Sequence, residues 1–161
     1  MFLIFDTETT GLPKRWDAPL TDSDNWPRCI QIAWQVHDSN GQCLSHEDFL
    51  IKPDGFKIPY DSEKIHGIST ELADKDGVSL EEVISKFKSV LKDCKFICGH
   101  NVKFDLNILG AEFYRKQIQT KLNEKLKIDT GIISKEYCNL SGGLGGRLKM
   151  PKLIELYEIL F

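Results

Sequence analysis

Asp6 and Glu8, the two carboxylates of the string IFDTETTG at residues 4–11, flank a single threonine. On an extended strand, side chains two apart lie on the same side, so these two converge as hard oxygen donors. Mg²⁺ takes such donors and is usually held by one or two carboxylates together with substrate phosphate. Thr9, Thr10 and Gly11 follow at once, where a sharply turning backbone brings amides and hydroxyls close to a bound nucleotide. Taken alone, Asp-x-Glu also fits a solvated strand end. Its weight comes from a second segment, GHNVKFDLNIL at 99–109, which sets Asp105 at the beginning of a helix. A carboxylate there is favoured by the helix dipole in any protein, so Asp105 too needs its surroundings before it carries chemistry.

The elements that must position these groups can be read along the chain. FLIF at 2–5 is a continuous apolar run, the pattern of a central strand buried on both faces and opening into a carboxylate-rich turn. Residues 13–28, with three prolines and two tryptophans, form a long irregular excursion that could rim the site. Residues 29–37 and 42–52 make a hairpin across Asn40-Gly41. Short helical pieces fall in 61–73. A helix opens at Ser79, with Glu82 at capping-box spacing and Leu80, Val83, Ile84, Phe87, Val90 and Leu91 on one face. A strand at 95–99, a helix over 101–117 with Phe104, Ile108, Leu109 and Ala111 turned inward, and a strand at 127–130 complete the alternation. SGGLGG at 141–146 is a flexible loop, and Pro151 starts a last helix. This order implies an α/β fold, a mixed sheet with helices packed on its faces.

With 161 residues, 41% of them hydrophobic and 28% charged, the chain suits one domain, taken as residues 1–161. A net charge of −3 excludes the broad basic surface of a protein that grips long duplex. The five cysteines and an N-terminus without a signal-peptide pattern read as free thiols in a reducing cytoplasm. No apolar run approaches the roughly 18 residues of a membrane helix, so no membrane association is expected. Cys94, Cys98 and His100 have a soft-metal flavour but lack a fourth ligand, and they read as core thiols. GGLGG lacks the flanks of a phosphate loop.

IFDTETTG and GHNVKFDLNIL, reinforced by IHGI at 65–68, resemble the first and second motifs of the DEDD exonucleases of the ribonuclease H-like superfamily. The likeness is strongest to the DnaQ-like group, which includes the epsilon proofreading subunit of bacterial DNA polymerase III. It runs over essentially the whole chain, through Ile128-Asp129-Thr130 and the Pro-Lys-Leu helix start at 151–153. The resemblance implies a five-stranded ribonuclease H-like sheet and 3′ to 5′ hydrolysis releasing nucleoside 5′-monophosphates. Asp6, Glu8 and Asp105 would hold two Mg²⁺ or Mn²⁺ ions about 3.5–4 Å apart astride the scissile phosphate. Thr9, Gly11 and Leu12 would contact the terminal sugar or base, His66 and Asp61 would sit near the terminal nucleotide, and Phe104 near the second. The partners implied are a single-stranded DNA 3′ end, with RNA as the alternative, and a DNA polymerase subunit.

The family carries a third motif near its C-terminus, a histidine that acts as general base and an aspartate that completes the metal site. Here the last histidine is His100 and the last aspartate Asp129. Glu155 and Glu158 on the final helix, and His37 and His46 in the hairpin, read as solvent-facing groups rather than substitutes. The sequence therefore predicts a C-terminally truncated exonuclease domain of low or no activity, with an uncovered apolar ILF end through which copies could self-associate. A module that only docks a polymerase or a nucleic-acid end is the competing reading.

Overall fold

The apolar N-terminal run becomes β1 (Phe2–Thr9), the middle strand of a five-stranded sheet in a computed structural model that describes residues 1–161. The strand does not stop at Phe5 but runs through both carboxylates. It is also not buried on both faces: Leu3, Phe5 and Thr7 are covered, whereas Ile4 between them is 41% exposed. The apolar run is thus explained differently from the expectation. One face meets the core and the other lies open, with Ile4, Asp6 and Glu8 on it.

β2 (Cys29–His37) pairs antiparallel with β1, and β3 (Cys43–Leu50) antiparallel with β2, as the hairpin pattern predicts. β4 (Phe96–Gly99) and β5 (Leu126–Asp129) add in parallel on the far side of β1, giving the order β3-β2-β1-β4-β5. The parallel pairs require crossovers, which two amphipathic helices supply. They are α3 (Leu80–Asp93) and α4 (Val102–Arg115), preceded by the short α1 (Tyr60–His66) and α2 (Thr70–Asp76).

Leu3, Phe5, Ile32, Trp34 and Ile97 of the sheet meet Val83, Ile84 and Phe87 of α3 and Ile108, Leu109 and Phe113 of α4 in one core. Phe87 stands edge-on to both Phe5 and Trp34. Each such fully buried side chain contributes about 1.5–3 kcal/mol. Ser79 caps α3 by accepting from the Glu82 amide, but the Glu82 carboxylate lies beside Lys86, so only half of the capping box forms. Ile30, Ile58, Ile68 and Ala73 form a smaller core that seats α1 and α2 against β2.

Past β5 the chain turns into α5 (Thr130–Ile133) and α6 (Lys135–Cys138), which the sequence pattern does not announce, and ends in α7 (Leu153–Leu160). Asp129 is the cause of the first: its Oδ1 accepts from the Gly131 and Ile132 amides and caps α5. The excursion at 13–28 is irregular, as expected, but it is a strap fastened along α4. Leu20 lies where a Cβ on Gly110 would come within 2.6 Å of its Cδ1, so the glycine makes the seat. No helix is long and apolar enough to cross a membrane.

Candidate active site

β1 pairs with β4 only over Phe2–Ile4, while its pairing with β2 continues to Thr9. Beyond Ile4 the β4 side of the strand is free to take the first turn of α4. Asp105 enters there, 3% exposed, and its Oδ1 accepts from the Thr7 amide at 3.1 Å and the Thr7 hydroxyl at 2.6 Å. Asp6 and Glu8 alternate with Thr7 and therefore look the other way, onto the open face. Asp6 lines a cleft of about 560 Å³ with Ile4, Ala33, Cys98, His100 and Thr130.

The negative charge of Asp6 acts on both of the other carboxylates. Burial raises Asp6 above the ordinary carboxylate range, with the Thr7 amide and the nearby His100 pulling the other way. Burial also raises Glu8, and the negative charge of Asp6 adds to it. Asp105 is pushed up to about 7, first by burial and then by Asp6, against the hydrogen bonds from Thr7. No three Asp, Glu, His or Cys side chains close around a common point in this arrangement. The donor set nonetheless fits a hard divalent cation by its chemistry: two oxygen donors side by side, a third carboxylate next to them, and a mutual repulsion that such a cation would relieve.

The residues expected at the substrate fall around this centre. The Thr9 hydroxyl donates to the Gly11 carbonyl at 2.7 Å, folding the chain back where Gly11 adopts φ 139°, and Leu12 then projects 71% exposed. α1 packs against the same turn, for Ser62 Oγ faces the Gly11 Cα. On that helix His66 accepts through Nδ1 from the Ile68 amide, so Nε2 carries the proton; the ring's other polar neighbour is the Thr9 backbone. Burial lowers the His66 pKa, against the charge of Glu63 and the Thr9 backbone, and so favours the neutral ring. Asp61 is not drawn in: its side chain is almost fully exposed and lies 3.9 Å from Lys64. Phe104, expected to turn inward, is only half-buried and meets Trp16 of the strap.

Two features escape sequence reading. His100 is neither a free base nor a core ligand: Nε2 donates to the Pro151 carbonyl at 2.8 Å and Nδ1 meets the Thr130 hydroxyl at 3.0 Å, tying the end of β4 to the approach to α7. Cys94 and Cys98 are buried free thiols. The second feature is Glu112, fully buried, whose Oε1 accepts from Arg28 Nε, the Cys29 amide and Arg115 Nη1 at 2.9, 2.9 and 3.1 Å. An acidic residue in the apolar stretch LGAEF was the available signal. Of the hairpin histidines, His37 bonds to Gly41 and Gln35, and His46 is exposed on the open face. Asp6, Ala33 and Asp48 are in register across three strands, so two strand spacings, about 9.6 Å, separate the Asp48 backbone from Asp6.

The RNase T family of exonucleases matches residues 3–159. The DNA polymerase III subunit epsilon of Rickettsia felis is 30% identical over 135 residues, covering 83% of this chain and 54% of that protein. The PolC-type DNA polymerase III of Mycoplasma genitalium is 30% identical over 122 residues, 76% of this chain and 8% of the polymerase. The chain thus spans about half of the first relative and a small part of the second. Among solved structures, E. coli Exonuclease I in complex with a dT13 oligonucleotide superposes over 98% of this chain and 35% of its own, with a TM-score of 0.74 at 21% identity, a likeness of fold.

Proposed function

The chain belongs to the exonuclease family matched over residues 3–159, and from that premise we propose that it acts on the 3′ end of single-stranded DNA, releasing nucleoside 5′-monophosphates in the 3′ to 5′ direction. The observation that carries this reading is the meeting of Asp6 and Glu8, side by side on β1, with Asp105 arriving from α4 at Thr7. Asp6, Glu8 and Asp105 would hold two divalent cations, Mg²⁺ or Mn²⁺. Such ions, when bound, supply Lewis-acid stabilisation for the charge that builds up on the phosphate. The Thr9–Leu12 turn would receive the terminal nucleotide. His66, neutral and adjacent to Thr9, would face it as a hydrogen-bond donor, and exposed Asp61 would join only by changing rotamer.

A terminus already unpaired costs less to draw into such a site than a paired one, which is the physical basis of proofreading. The epsilon and PolC-type relatives support a polymerase partner. RNA ends remain the alternative substrate. His100, the histidine at the end of β4 beside Asp6, is not free to act as a general base, since both its ring nitrogens are engaged. General-base catalysis is worth roughly 10²–10⁴-fold, so slow cleavage is expected of these residues by themselves. The same observation favours a docking module as the second reading. Self-association through the apolar side of α7 belongs to the proposal as well.

Digestion of a labelled single strand with Mn²⁺, comparing this chain and one extended past Phe161, each with and without Asp6→Ala, tests the reading. Cleavage that grows with the extension and vanishes with Asp6→Ala is expected. Equal activity with and without Asp6 would sink it, and a folded, metal-binding protein that never cuts in either length leaves the docking module.

A further inference from the structure

Of the three tryptophans, Trp26 and Trp34 are buried, whereas Trp16 is 55% exposed. Exposure of so large an apolar ring on a loop would mean little if the loop were loose, but this one is fixed. The buried side chain of Asn25 accepts from the Arg15 amide at 2.7 Å and donates to the Arg15 carbonyl at 3.0 Å, and the Asn25 carbonyl takes the Lys14 amide at 3.1 Å. An amide side chain that satisfies both backbone groups of the residue before Trp16 fixes the main chain from which the indole projects. The indole lies opposite Phe104, the neighbour of Asp105, with ring centroids 5.9 Å apart and planes tilted by 51°. At that tilt the rings do not stack on each other, and the indole stays 55% exposed beside Phe104. Phe104 packs on the main core, while Trp16 belongs to no core cluster. Exposed cations adjoin the pair in sequence: Lys14 lies two residues before Trp16 and Lys103 immediately before Phe104, while Arg15 is paired with Asp17.

We propose that Trp16 and Phe104 form a stacking platform for an unpaired nucleobase of a single strand whose terminal nucleotide lies at the Asp6–Leu12 turn. A flat π-face beside cations is the recurring means of holding single strands without reading their sequence. The platform rests on the exonuclease reading and deepens it, since it gives the strap at 13–28 a role in holding substrate. A base in a duplex has both faces covered by its neighbours, so the platform selects frayed ends over paired ones.

Trp16 is the exposed tryptophan, so the share of the emission that Trp16→Phe removes reports on its own face. 5′-labelled oligothymidylate and oligouridylate are bound to the protein with Ca²⁺ in place of Mg²⁺, affinity being read from the anisotropy of the label and tryptophan emission being followed alongside, and both are repeated with Trp16→Ala and Trp16→Phe. Quenched emission is expected in the parent protein, with affinity about five- to a hundred-fold weaker for Trp16→Ala and largely recovered in Trp16→Phe. A response to either oligomer supports the platform, and a response to one alone tells whether the strand is DNA or RNA. Binding that leaves the emission unchanged and survives Trp16→Ala overturns the platform while the exonuclease reading stands. Failure of the parent protein to bind either oligomer overturns both.

Discussion

Asp105 shows how a residue placed for chemistry costs the fold stability. It is nearly sealed from water, it shares its surroundings with Asp6, and its carboxyl is pushed up to about 7. An acid whose pKa is raised on folding binds more protons in the folded state, so the stability it allows is present below the ordinary carboxylate range and is lost as pH rises towards 7. Asp105→Asn keeps an oxygen for the Thr7 amide and hydroxyl and removes the charge. We expect the metal-free variant to melt above the parent protein at pH 8, with the gap closing as pH falls below about 4, and to cut nothing in Mn²⁺. Thermal melts in EDTA across pH check this; a variant less stable than the parent at pH 8 would show that Asp105 is a structural group. Residues of this kind divide by how far their partners lie in sequence. The convergence of Asp6 and Glu8 needs only strand periodicity and was legible. The bond of Asp105 to Thr7 spans 98 residues and follows from β4 ending its pairing at Ile4, which no local pattern encodes.

The elements were legible where one periodicity governs them. The helix face from Leu80 to Leu91 and the hairpin around Asn40-Gly41 formed as the pattern predicts, because solvent and core alone decide them. β1 extends past its apolar run because its pairing with β2 carries the polar residues Asp6–Thr9 along, and α5 has no signal in the sequence because Asp129 both ends β5 and caps the helix. The strap is the clearest case of hidden order. Arg115 donates to the Ser23, Trp26 and Pro27 carbonyls, and Arg28 spans between Glu112 and the Phe56 ring, so an irregular segment is pinned by ions from a distant helix. Removing one member of a buried ionic set leaves the others uncompensated, at about 3–5 kcal/mol. Glu112→Ala is therefore expected to lose about that much in urea unfolding and to open residues 13–28 to proteolysis before the rest. A loss of less than about 1 kcal/mol, the worth of a surface pair, would mean that the strap is held by Leu20 and the backbone alone.

At the scale of the whole molecule, the two faces of the sheet differ. One is closed by α3 and α4; the other carries Ile4, Asp6 and Glu8 and meets only the beginning of α7, where Leu153 reaches the cleft. The sequence of α7, LIELYEIL, is apolar on nearly every side, and such helices are stable only when covered all round. Here Leu156 is its one buried side chain, while Leu153, Ile154 and Tyr157 are each more than half exposed and Phe161, tilted against Tyr157, is almost wholly so. Leu153, Tyr157 and Phe161 recur at four-residue spacing and make one stripe. A net charge of −3 opposes association only weakly. A second copy offers the same stripe, and an interface in which one patch meets itself closes on two molecules. Sedimentation velocity over rising concentration should then show dimer, and Tyr157→Lys with Phe161→Lys should return monomer while leaving the core, which neither residue joins, intact. A parent protein that stays monomeric throughout would mean that the open face, with Asp6 and Glu8 on it, is free to receive a strand in every molecule.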